Sequence, residues 1–85
     1  MKKFKIEYKE SFNVIGEADT ISDCFRFIKD YFKIDAKCRR SWLEGKKLIV
    51  DFHPLLGYFW ISRSDGEHIA FDDIPKHRYW FRENG

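Results

Sequence analysis

The sequence predicts a small two-layer α+β domain, an antiparallel sheet of about four strands with one main amphipathic helix packed on one face. Three stretches predict it. Residues 3–9 set Phe4, Ile6 and Tyr8 against Lys3, Lys5, Glu7 and Lys9, the two-residue period of a half-buried strand. Residues 21–33 repeat Ile21, Cys24, Phe25, Ile28, Tyr31 and Phe32 at spacings of three and four, with Asp23, Arg26, Lys29, Asp30 and Lys33 on the other side. Residues 46–72 return to alternation, punctuated by turn residues, as in a three-stranded meander.

In chain order, residues 3–9 form the first strand. Residues 10–19 contain Asn13, Gly16 and Asp19 and read as a loop pinned by Val14 and Ile15. Thr20 or Ser22 caps the helix, and Asp23 in its first turn suits the positive end of the helix dipole. Phe27 departs from the apolar stripe and is expected to be partly exposed. Residues 34–45 fit either a short helix ended by Gly45 or a strand turning there. Leu48, Val50 and Phe52 then alternate with Ile49, Asp51 and His53, Pro54–Gly57 makes a turn, and Tyr58–Arg63 is the next strand. Asp65–Gly66 carries the signature of a two-residue type I′ hairpin, which returns Glu67–Phe71 as a third strand. Lys76–Arg82 reads as a short final strand or a docked tail. No linker or repeat divides the 85 residues, so residues 1–85 are read as a single domain.

The bulk composition excludes several classes. Nine Phe, four Tyr and three Trp supply enough apolar surface to argue against disorder, and no apolar run approaches the ~20 residues of a membrane span. Met1–Lys2–Lys3 leads into alternating residues and not into the apolar stretch of a secretory signal, and two Cys do not make a disulfide scaffold. A cytoplasmic location without membrane contact is the expectation. The formal net charge of +2 is too small to argue for nucleic acid alone. Its distribution is uneven: Lys37, Arg39, Arg40, Lys46 and Lys47 cluster against Glu44, whereas Asp65, Glu67, Asp72 and Asp73 cluster in residues 65–73.

Three constellations are candidate contact sites. The sheet face opposite the helix is expected to show Lys5, Glu7, Asp51, His53, Tyr58, Trp60, Ser62 and His68, with Arg63 at the strand end. Aromatic side chains on an open sheet face stack single-stranded bases or anchor a protein partner. If residues 34–45 or the tail cover that face, Tyr58 and Trp60 are core residues instead. The second constellation is the basic cluster, with Arg39 and Arg40 beside Trp42; it suits phosphates or an acidic protein surface. The third is the tail, where Arg78 and Arg82 flank Trp80. Gly57, Tyr58, Trp60 and Ile61 fit four positions of the third strand of the RNA-recognition motif. Only Ser64–Gly66 lies where that family places a helix, so the chain does not read as a member.

Catalytic signatures are sparse. Asp51, His53 and His68 are the one acid–base trio on offer, as in a small hydrolase, and they act together only if they converge in a cleft. Cys24 sits on the apolar helix stripe as a small hydrophobe; Cys38 lies among Lys37, Arg39 and Arg40, which favour its thiolate. The two are fourteen positions apart with no Cys-x-x-Cys, so neither a metal site nor a cofactor is expected. The reading is a non-catalytic intracellular binding protein whose partner is a host or cognate protein. Low Ala with abundant Lys, Ile and Phe fits an AT-rich genome. One concrete form is a phage or mobile-element inhibitor of a host factor such as a defence nuclease. The alternative is an RNA or single-stranded DNA binding module. Strands at residues 3–9 or 67–71 are candidate sheet edges for pairing with a second copy, although the lysines of the first oppose it.

Overall fold

The computed structural model describes residues 2–11, 13–33, 37–53, 57–70 and 73–74, without the side chains of Lys37, Cys38, Arg39 and His53. The elements are β1 (Phe4–Tyr8), β2 (Asn13–Ala18), α1 (Ile21–Phe32), β3 (Lys37–Glu44), β4 (Lys47–His53) and β5 (Tyr58–Arg63). They build one five-stranded sheet in the order β2-β1-β5-β4-β3, every neighbour antiparallel. The expected sheet of about four strands is therefore one strand short.

One of those five strands differs from the expectation, and another takes one of two alternatives left open. Residues 13–18 form β2, not a loop. Val14 is half exposed, and an extra residue at Ile15 bulges the ladder between Ile6↔Gly16 and Glu7↔Val14. An edge strand that exposes its side chains needs no apolar alternation, so the sequence signal is weak there. Residues 37–44 resolve to a strand, β3. It meets β4 through the two-residue turn Gly45–Lys46, where Gly45 has φ 64° and Lys46 keeps a negative φ. Glycine at the first position alone is the pattern of a type II′ hairpin turn.

The Asp65–Gly66 hairpin does not form. Only Gly66 has positive φ, 81°, whereas type I′ requires it at both positions. The Asp65 carboxylate instead accepts the Glu67 N–H (2.9 Å) and two Arg63 N–H groups (3.1 and 2.6 Å). The topology explains the failure: β5 is already flanked by β1 and β4, so a returning strand has no free edge to pair with. Residues 67–70 lie outside the sheet, and β1 is an interior strand. Neither is the self-pairing edge expected of them; the edges are β2 and β3.

The helix matches its expected span. Thr20 Oγ1 accepts the Asp23 N–H (3.0 Å), and Lys33 ends the helix in the left-handed conformation, its N–H donating to Asp30 O (3.2 Å). Ile21, Cys24, Phe25 and Ile28 share one buried cluster with Phe4, Ile6, Leu48, Val50, Phe52, Phe59, Ile61, Ile69 and Ile74. Phe25 meets Phe52 edge-on at 5.1 Å, and Phe32 meets Tyr8 and Phe59 at 5.4 and 5.8 Å. One stripe position behaves differently, and Phe27, off the stripe, is partly exposed as expected. Tyr31 is half exposed, and Phe27 is half-buried because β2 leaves room for its ring at Gly16. No helix among the described residues is long and apolar enough to cross a membrane.

Candidate functional site

Strand register assembles the candidate site. One row across the sheet runs Glu7, Trp60, Ile49, Trp42; the next runs Tyr58, Asp51, Arg40. Side chains directly opposite each other across antiparallel strands share a face. Trp42 from the ambiguous segment therefore joins Tyr58 and Trp60 on one face, and the three rings are half-buried. Trp42 stands edge-on to Tyr58 with ring centres 5.7 Å apart, a favourable quadrupole arrangement.

Cations decorate these rings. Lys47 Nζ lies 3.8 Å from the centre of Trp60 and Lys9 Nζ 5.3 Å; the Arg40 guanidinium lies 5.1 Å from Trp42. Arg40 also donates to the Tyr58 hydroxyl (3.3 Å) and pairs with Asp51 at 3.6 Å. Trp42 Nε1 donates to Glu44 (3.4 Å). The face is thus a lattice of rings and charges in which carboxylates alternate with cations. Lys9 was not legible as a site residue, since its approach to Trp60 depends on the β1–β5 register.

The remaining candidates scatter. Arg63 is committed to Asp65 and lies 4.0 Å from Asp73. Its hydrogen bond to Asp65 is the main cause that holds the Asp65 carboxyl below its ordinary value. Lys46, from the basic cluster, sits in the β3–β4 turn and donates to Gly66 O (2.9 Å). The side chain of Arg39 and all of Arg78, Trp80 and Arg82 lie outside the described residues, as do Phe71 and most of the Pro54–Gly57 turn.

The acid–base trio divides in the same way. Asp51 is buried against Arg40, His68 is exposed on the irregular segment after β5, and the His53 side chain is not described. Among the described residues no three His, Cys, Asp or Glu side chains group as a metal site would require. Cys24 is fully buried, and burial, with the Asp23 carboxylate second, pushes its thiol up to about 12.

No family model, no curated protein and no solved structure matches this chain.

Proposed function

We propose that this chain is a non-catalytic binding module that docks a protein partner on the sheet face carrying Trp42, Tyr58 and Trp60, with α1 covering the opposite face. The observation that supports a protein over a nucleic acid is the occupancy of the rings. Lys47 sits over Trp60 at 3.8 Å, where a base would have to stack. Glu7, Asp51 and Glu44 interleave with Lys9, Lys47 and Arg40, so a run of phosphates meets a carboxylate beside each cation. A protein surface of mixed charge satisfies both signs, and Trp, Tyr and Arg are the side chains that dominate interface energetics. An inhibitor of a host factor is one concrete form of such a module, and the identity of the bound protein decides it.

The test is quantitative capture from nuclease-treated lysate, comparing wild type with Lys9→Glu/Lys47→Glu and with Trp60→Leu, each first shown to be folded by circular dichroism. Protein partners that survive nuclease and drop at least about tenfold, roughly 1.4 kcal/mol, with the folded variants support the reading. Capture that disappears with nuclease treatment, or that the variants leave unchanged, overturns it. In parallel, short RNA and single-stranded DNA oligonucleotides are titrated at low salt; tight binding there favours the nucleic-acid alternative.

A further inference from the structure

The aromatic face is electrically lopsided. Around Trp42 the charges satisfy one another. Arg40 pairs with Asp51 (3.6 Å) and donates to the Tyr58 hydroxyl (3.3 Å), and Glu44 accepts the Trp42 Nε1–H (3.4 Å). Around Trp60, in the middle strand, they do not. Glu7 on β1 and Ile49 on β4 stand directly opposite Trp60. Lys5 and Lys9 lie two positions either side of Glu7, and the Lys9 N–H extends the ladder to Tyr58 O (2.9 Å). Lys47 and Asp51 lie two positions either side of Ile49. These are the diagonal positions from which long side chains reach a neighbour.

Three lysines therefore surround one indole, against Glu7 and against an Asp51 that Arg40 already pairs. Lys5 is shared with Glu17, its partner in the β1–β2 ladder. Lys9 and Lys47 differ from it. Their ammonium groups lie 5.3 and 3.8 Å from the Trp60 ring centre, and neither makes an ion pair among the described residues. Glu44 stands opposite Lys47 on β3, yet Glu44 holds the Trp42 indole and Lys47 turns to Trp60. The Trp60 Nε1–H has no acceptor among the described residues either.

We propose that Trp60 reads acid: the partner lays a single Asp or Glu carboxylate against the indole edge, between Lys9 and Lys47. The inference rests on the docking role proposed above for this face. The carboxylate pairs with both ammonium groups and accepts the indole N–H, a donor with no acceptor capacity of its own. Trp60, Lys9 and Lys47 are all half-buried, so the lysine stems already lie along the ring and little ordering is left for binding to impose. One carboxylate fits where a row of them does not, because Glu7, Glu44 and Asp51 repel any further negative charge on either side.

The experiment titrates the full chain at low salt with acetyl-Leu-Glu-Leu-amide and its Gln and Lys counterparts, following the Trp60 indole N–H by nuclear magnetic resonance. A saturating shift is expected with the Glu peptide, at least about threefold tighter than with the Gln peptide, and the Lys peptide is weakest. Lys9→Met/Lys47→Met keeps the stems, removes both charges and abolishes the preference for Glu over Gln. Arg26→Gln/Lys29→Gln removes the same net charge from α1 and leaves that preference unchanged. Lys9→Glu/Lys47→Glu reverses the order of the Glu and Lys peptides. Equal affinity for Glu and Gln, a preference that survives Lys9→Met/Lys47→Met, or no saturating shift with any peptide overturns the acid preference. So does a short single-stranded DNA that moves the Trp60 signal more tightly than the Glu peptide, since the anion read there is then a phosphate. Failure of the docking face itself reads differently: capture from lysate is then indifferent to Trp60→Leu.

Discussion

Gly16 and Phe27 offer a quantitative test of how the helix meets β2. A Cβ placed on Gly16 would overlap Phe27 Cζ and lie 2.5 and 2.7 Å from Cε1 and Cε2. Real carbon contacts are not that short, so Gly16→Ala forces the ring out of its seat. In an unobstructed strand the same change stabilises by about 0.4–1 kcal/mol through the unfolded chain. Overpacking costs about 1–3 kcal/mol, so the expected net is a destabilisation of about 0–2.5 kcal/mol. Phe27→Ala alone is expected to cost about 1.5–2.5 kcal/mol, roughly half the value of a fully buried Phe. In the double variant the new methyl enters vacated space, so the pair is less destabilised than the sum by about 1–2 kcal/mol. Urea unfolding of the four proteins, followed by far-ultraviolet circular dichroism, measures the cycle. Strict additivity, with no coupling between the two positions, refutes the seating of Phe27 on Gly16.

Other outcomes follow from buried polar groups. Asp73 is burdened by desolvation, yet the Lys3 ammonium (2.8 Å), the Ala70 N–H (3.0 Å) and Arg63 outweigh it and hold its carboxyl below the ordinary range. A depressed folded-state value means stability that is present above the ordinary carboxylate range and lost as pH falls through the folded value. Asp73→Asn is therefore expected to cost about 1–2 kcal/mol at pH 7 and to flatten the loss of stability below pH ~4, read by urea midpoints across pH. Cys24 shifts the other way. Its stabilising contribution is complete below the unfolded thiol value and disappears as pH rises toward about 12. In a Cys38→Ser background a thiol reagent at pH 8 should modify native Cys24 far more slowly than the urea-unfolded chain; a rapid native burst contradicts its burial. Ser62 Oγ is buried without a hydrogen-bond partner among the described residues, so Ser62→Ala should be neutral or stabilising by up to about 1 kcal/mol, and a thermal melt showing a clear loss rejects this.

The legible parts of this chain are those written in local periodicity. The α1 stripe, the Thr20 cap and the alternation of β1, β4 and β5 each need only a dozen residues of context, and all five appear. What was not legible depends on distant partners. β2 is half exposed and contains Asn13 and Gly16, so only its pairing with β1 makes it a strand. Asp65–Gly66 has the local chemistry of a hairpin, but β5 has no free edge for the return. The candidate face shows the same division. Tyr58 and Trp60 on one side of a strand were readable from spacing, whereas Trp42 joins them through the register of β3 on β4, and Lys9 through that of β1 on β5.

An open aromatic face requires the indoles of Trp42 and Trp60 to face solvent in the free protein. Relaxation of their ring protons by a soluble paramagnetic gadolinium chelate measures this directly, with Trp80→Phe removing the third indole signal. Relaxation of both rings well above that of the buried Phe25 and Phe59 is the expected result. Rings as protected as those two phenylalanines would contradict an open aromatic face and remove the proposed docking surface.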